Sequence, residues 1–215
     1  MCVLLSTQRT RGAIGVTGFG PFGDIRDNPS GWIAERLEGD EVGPFVVKSE
    51  VFDVAFSSVR DRVVQLVRTG PHAMILLGVA RAAARLRLES RAVNRMRASI
   101  PDLNGVRAVG QLVDERFPPD AVLETNVRPA TLARRLKARG LDAEVSHDAG
   151  RYVCNATYFH ALRICREKAI PCLFVHVPPW HAPDVQAERE ERANEILALV
   201  DELGREYLPG TTPLS

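Results

Sequence analysis

Ala13-Ile-Gly-Val-Thr-Gly-Phe19 is an uncharged, mostly apolar run. Such a run, closed by turn residues, reads as a strand buried on both faces rather than as the alternating strand of a half-solvated sheet. His72-Ala-Met-Ile-Leu-Leu-Gly78 and Pro171-Cys-Leu-Phe-Val-His-Val-Pro178 repeat the pattern. Between the first two lie capping residues at Asn28-Pro-Ser30, a helical stretch over 32–37, a valine-rich strand over 45–54, and a helix over 57–68 with Val59, Val63 and Val67 on one stripe. Strands and helices that alternate in this way predict an α/β fold. We expect a single-domain α/β/α sandwich with a mixed, mostly parallel twisted sheet, its ligands gathered at the carboxyl ends of the strands.

The loop after the first strand, Gly18-Phe-Gly-Pro-Phe-Gly23, has neither the Lys-Ser/Thr of a P-loop nor the spacing of a dinucleotide fingerprint. Its two phenylalanines suit the wall of a small apolar pocket, or plain core packing. Residues 81–97 carry six arginines and one acid, Glu89. Leu86 and Leu88 alternate there with charged residues, the pattern of a strand with one polar, salt-bridged face. No aromatic residue is interleaved to stack a base. Residues 106–128 read as short strands and loop, suited to a lid or subunit contact. Thr131–Arg139 is a basic helix closed by Gly140, Ala143–Val145 a short strand, and 185–208 a terminal helix with Ile196, Leu199, Val200 and Leu203 on its apolar side.

Chemistry concentrates in Ser146-His-Asp-Ala-Gly-Arg-Tyr-Val-Cys-Asn-Ala-Thr-Tyr-Phe-His160. Apolar residues recur at helical spacing from Tyr152 to Cys165, which sets Cys154 in the first turn or two of a helix. Unsatisfied N–H groups and the positive end of the helix dipole favour a thiolate there, although a buried structural cysteine fits the same pattern. His176 falls two residues before the proline that ends its strand. Cysteine acyl transfer needs a thiolate, an imidazole and a group that orients the imidazole.

Bulk properties narrow the classes. The 215 residues are 45% hydrophobic and 26% charged, with 28 basic and 27 acidic side chains. That composition builds one sizeable core and no global field for nucleic acid or an anionic membrane. Met1-Cys-Val-Leu-Leu-Ser6 lacks the basic flank and cleavage site of a signal peptide, and no run reaches the length of a membrane span. We therefore expect a cytoplasmic protein, with residues 1–12 a loosely ordered extension ahead of one catalytic domain over 13–215. The four cysteines, at 2, 154, 165 and 172, form no C-x-x-C spacing. Cys154 and Cys165 lie about 16 Å apart along one helix, too far for a disulfide, so both are expected free.

Taken together, Val16-Thr-Gly-Phe-Gly-Pro-Phe-Gly23 with Asn28-Pro29, Glu89 with Ala92-Val-Asn94, Ile100-Pro-Asp102, Ala149-Gly-Arg-Tyr-Val-Cys-Asn155 and Phe174-Val-His-Val-Pro178 resemble the pyroglutamyl peptidase I family. The resemblance runs from about Ala13 to the terminal helix. It implies an α/β/α sandwich that removes an amino-terminal pyroglutamate through a thioester. Cys154 would be the nucleophile, His176 the general base and acid, and Glu89 the orienting carboxylate. It also implies that Phe19 and Phe22 sandwich the lactam ring, that Asn28 aids its recognition, and that Tyr152 and Val153 line the pocket. No metal or organic cofactor is implied. Pyroglutamylated peptides are the expected partners, nucleic acid and membrane are not, and a homo-oligomer, dimer or tetramer, is expected from the family.

The chain departs from the family pattern where it has Val79 in place of a glutamine and Ala83, Ser90 and Ser99 in place of arginines. Arg81, Arg85, Arg91 and Arg97 are the neighbouring substitutes. Two alternatives are a weak pyroglutamyl-peptide binder and another hydrolase on the same sandwich. The intact Cys, His and Glu set weighs against the first.

Overall fold

In a computed structural model that describes residues 11–181 and 185–208, the uncharged runs form the middle of one sheet. In chain order the elements are β1 (Gly12–Phe19), α1 (Pro29–Leu37), β2 (Glu41–Val42), β3 (Phe45–Phe52), α2 (Val59–Arg68), β4 (Ala73–Val79) and β5 (Leu86–Glu89). They continue with β6 (Arg91–Val93), β7 (Val122–Glu124), α3 (Pro129–Ala138), β8 (Ala143–Ser146), α4 (Val153–Glu167), β9 (Cys172–Val177) and α5 (Val185–Tyr207). Of the extension expected over residues 1–12, positions 1–10 lie outside the described residues. Gly12 already belongs to β1, and the Arg11 side chain forms an ion pair with Glu41.

The seven-stranded sheet has the order β2-β3-β1-β4-β9-β5-β8. β3, β1, β4 and β9 run parallel, β2 is antiparallel to β3, and β5 is antiparallel to β9 but parallel to β8. The sheet is thus mixed and mostly parallel. Side chains leave a strand on alternate faces, so each buried run feeds two cores. Ile75, Leu77, Val175 and Val177 pack under α1, α3 and α5 with Ile33, Leu132 and Leu199, while Met74, Leu76, Cys172 and Phe174 pack under α2 and α4 with Val63 and Phe159. Both faces are covered by helices, which is why β4 and β9 carry no Asp, Glu, Lys or Arg.

Local signals set the element ends. Asn28 caps α1 by accepting from the Ser30 backbone N–H, and Pro29 follows at the first helical position, so the helix starts three residues ahead of the stretch expected from periodicity. The arginine-rich segment is two strands, not one. It breaks at Ser90, with β5 completing the main sheet while β6 pairs antiparallel with β7 in a separate ribbon. Four of its six arginines are held by acids: Arg81 by Asp24, Arg85 by Asp142, Arg87 by Glu144 and Arg95 by Asp120. Among the described residues, no helix is long and apolar enough to cross a membrane.

Candidate active site

The reversal of β5 against β9 is the step that builds the site. Glu89 lies opposite Phe174 in the antiparallel register, so Glu89 and His176 are diagonal neighbours on one face of the sheet. His176 Nδ1 and Glu89 Oε1 are 2.8 Å apart, and both side chains are buried. The second carboxylate oxygen of Glu89 is enclosed without a hydrogen-bond partner. Tyr158 of α4, itself fully buried, donates its hydroxyl to the Glu89 carbonyl at 2.8 Å and fixes the end of β5 beneath the helix.

α4 lies on the same face, and Cys154 is its second residue. With Nδ1 committed to Glu89, Nε2 is the ring nitrogen left to interact with the Cys154 side chain. Burial opposes a charged imidazole, but the hydrogen bonds to Cys154 and Glu89, together with the charges of both, outweigh it and hold His176 up at about 9. The first intrahelical bond of α4 runs from the Ala156 N–H to the Tyr152 carbonyl, and Tyr152 supplies no side-chain cap. The N–H groups of Val153, Cys154 and Asn155 therefore have no acceptor within the helix and point out of its positive end.

The first turn of α4 is tethered by Asn155. Its Oδ1 accepts from the Val93 N–H, and its Nδ2 donates to the Val93 and Arg95 carbonyls, all within 3.1 Å. Asn94 in turn holds the loop over 114–118 through Asp114, Phe117 and Pro118. Buried amides with every hydrogen bond made are rigid fixtures, and here they connect the β6–β7 ribbon to the nucleophile's helix.

Two residues before Cys154, Tyr152 joins a partly buried aromatic cluster. The Tyr152 ring meets Phe22 at 6.0 Å and, edge-on, Phe56 at 5.5 Å. Tyr152 donates its hydroxyl to the Pro101 carbonyl, and the Asp102 carboxylate accepts from the Phe56 N–H, so the Ile100-Pro-Asp102 turn pins both rings. The Tyr152 phenol is pushed up to about 12, by burial first and then by the charges of Asp102 and Cys154, and so stays a neutral donor.

The residues expected from the sequence do not all converge. Cys154, His176 and Glu89 meet, and Tyr152 and Phe22 stand beside them. Val153 turns into the core, fully buried. Phe19 is also buried, edge-on to Phe52 at 6.3 Å. Asn28 uses its amide to hold the loop, donating to the Gly20 carbonyl while accepting from Ser30. Phe56 escaped the sequence reading because its neighbours gave no pocket pattern. Asp102, within an Ile-Pro-Asp-x-Asn-Gly turn, carried a legible signal in an acid able to accept from backbone N–H groups two and four residues on.

At the four departures, Ser90 Oγ lies 2.7 Å from His147 Nδ1, Ala83 is buried, and Ser99 and Val79 are at least partly open to solvent. Arg91 donates to the His147 carbonyl. Among the described residues, no three His, Cys, Asp or Glu side chains converge as a metal-binding group.

A carboxylate, an imidazole and a thiol linked in sequence on the face of an α/β/α sandwich, with a helix N-terminus behind the sulfur, define a cysteine hydrolase. The profile of the pyroglutamyl peptidase family matches residues 13–200. The chain belongs to that family. It is 36% identical over 168 residues to the pyrrolidone-carboxylate peptidase of Deinococcus radiodurans, covering 76% of each chain. It is 31% identical over 175 residues to that of Thermococcus litoralis, covering 79% of this chain and 76% of the relative. The solved structure of a mutant pyrrolidone carboxyl peptidase from Pyrococcus furiosus superposes with a TM-score of 0.82 at 25% identity, over 91% of this chain and 99% of that one.

Proposed function

We propose that this chain removes an amino-terminal pyroglutamate from peptides, with Cys154 as nucleophile, His176 as general base and acid, and Glu89 as the carboxylate that orients the imidazole. The observation that carries this is the buried 2.8 Å contact of Glu89 with His176, a pair that acts with the thiol of Cys154, the second residue of α4. The thiolate attacks the carbonyl carbon that joins pyroglutamate to the next residue, and the oxyanion is held by N–H groups of the α4 first turn. The tetrahedral intermediate collapses, the C–N bond breaks, and His176 gives its proton to the departing amine. Water then adds to the thioester with His176 taking a proton, which releases pyroglutamate and restores Cys154.

A flat, neutral lactam without an ionised amine suits the cluster of Phe22, Tyr152 and Phe56 rings near Cys154. Oxyanion stabilisation rests on backbone donors, because Ser99 stands where the family has an arginine; hydrolysis is therefore slower than in members that keep it. The apolar side chains of Leu103, Val106 and Val109, at least 46% exposed on one loop, support association of copies through that loop, and the free state of Cys154, Cys165 and Cys172 supports a reducing cytoplasm.

The deciding assay is release of a fluorogenic amine from a pyroglutamyl substrate beside the prolyl analogue, which lacks the ring carbonyl. Turnover of the first and not the second is expected. Equal turnover of both, or activity that survives Cys154→Ala, overturns the assignment.

A further inference from the structure

Gly78 sits next to last in β4, opposite His176 in the parallel register. Its φ is not in the left-handed region, so backbone conformation does not require glycine there. What requires it is space. A Cβ built at this position lies 3.0 Å from Cys154 Sγ, 2.8 Å from Phe174 Cζ and 3.0 Å from Phe174 Cε1. These distances are at or below the closest that real methyl carbons show, so something must move.

Phe174 has little room to yield. It is fully buried, its ring centroid 5.5 Å from Tyr158 on one side and 4.9 Å from the His176 imidazole on the other. Tyr158 is locked through its hydroxyl to the Glu89 carbonyl. A ring forced away from residue 78 therefore presses on the imidazole or on the residue that holds Glu89. The softer response is rotation of the Cys154 side chain, which carries Sγ away from the sheet and from His176.

We propose that Gly78 is a positioning residue for the nucleophile: its missing side chain is the seat in which Cys154 Sγ rests against β4, within reach of His176. This rests on the proposed role of Cys154 and His176 and adds a third element to it, a strand backbone that sets the sulfur's rotamer. The seat lies in β4, whereas the aromatic cluster proposed to take the lactam is built by Phe22, Phe56 and Tyr152 and held by the 100–102 turn. Substrate binding and sulfur placement are thereby separable.

The test is Gly78→Ala. A sulfur displaced by about 1 Å costs on the order of 10²-fold in rate. We expect kcat to fall by about that factor, KM for a pyroglutamyl substrate to stay within about 2-fold, and iodoacetamide to alkylate Cys154 more slowly near neutral pH. Alkylation needs no substrate, so it reads the thiol–imidazole contact even if the natural substrate is of another class; failure of the wild-type protein to cleave pyroglutamyl substrates strikes the proposed function, not the seat.

Phe174→Leu and Gly78→Ala/Phe174→Leu separate positioning from packing and supply a roomier core should the single alanine variant not fold. If the double variant remains about 10²-fold below Phe174→Leu in kcat and stays slow in alkylation, the seat is supported. If Gly78→Ala retains wild-type kcat and alkylation, or if the double variant matches Phe174→Leu in both, the inference is overturned.

Discussion

Replacing Glu89 by Gln keeps the shape of the site and removes its buried charge. In the wild-type protein the imidazolium is held up at about 9, against burial, by hydrogen bonds and charges from Cys154 and Glu89. A charge-assisted hydrogen bond is about twice as strong as a neutral one, so the loss for the charged ring is roughly 1–1.5 kcal/mol, about one pH unit. The sign follows from the direction of the shift. A histidine whose folded pKa is raised stabilises the fold fully below its unfolded value near 6.5 and loses that contribution as pH rises through about 9. Glu89→Gln should therefore draw the alkaline limb of kcat/KM down toward 8 and narrow the range of pH over which stability falls. A second effect comes from the unpartnered Oε2, since a glutamine NH2 there is a buried donor without an acceptor, costing about 1–3 kcal/mol. The assays are kcat/KM from pH 6 to 10 and urea unfolding at pH 6.5 and 9. An alkaline limb that stays at the wild-type pH, with turnover within 2-fold, refutes the coupling and leaves Glu89 as a structural acid.

Cys154→Ala should abolish turnover, whereas Cys165→Ala and Cys172→Ala, at fully buried positions away from the helix start, should lose about 1–2 kcal/mol of stability and keep the chemistry; titration with iodoacetamide and thermal melts decide. Asn155→Ala removes three hydrogen bonds that tie α4 to Val93 of β6 and to Arg95 just after it, and should cost about 2–3 kcal/mol along with most of kcat; stability lost with kcat unchanged would mean that the tether does not orient the nucleophile. His160 is lowered to about 4, by burial first, so it enters the fold neutral, and stability should fall as pH drops from about 6.5 to 4 by up to roughly 3 kcal/mol. His160→Gln should flatten that slope in urea melts; an unchanged slope assigns it to other groups. Ser99→Arg should raise kcat if the position is vacant toward the oxyanion and leave KM nearly unchanged; steady-state kinetics on a pyroglutamyl anilide reads this directly.

Much of this architecture is local and therefore legible in the sequence. An uncharged run such as Ala73–Val79 has one stable destination, a strand covered on both faces, and Asn28-Pro29 starts a helix through its own side chain and ring. The position of Cys154 at a helix start is legible for the same reason, because periodicity, dipole and orphan N–H groups depend only on neighbours in the chain.

The partners in the site are another matter. Glu89 and His176 are 87 positions apart and meet only because β5 enters the sheet antiparallel to β9, in the register that sets Glu89 opposite Phe174. Strand order and register are decided by which faces must be buried together, a sum over the whole core that no single segment encodes. The break at Ser90, the pinning of Phe56 by Asp102 and the close approach of Sγ to Gly78 share that origin. Residue types and local periods thus determined which groups could do chemistry, whereas the packing of two sheet faces decided which of them touch, because contact at 3 Å between distant residues is a property of the assembled core rather than of the chain.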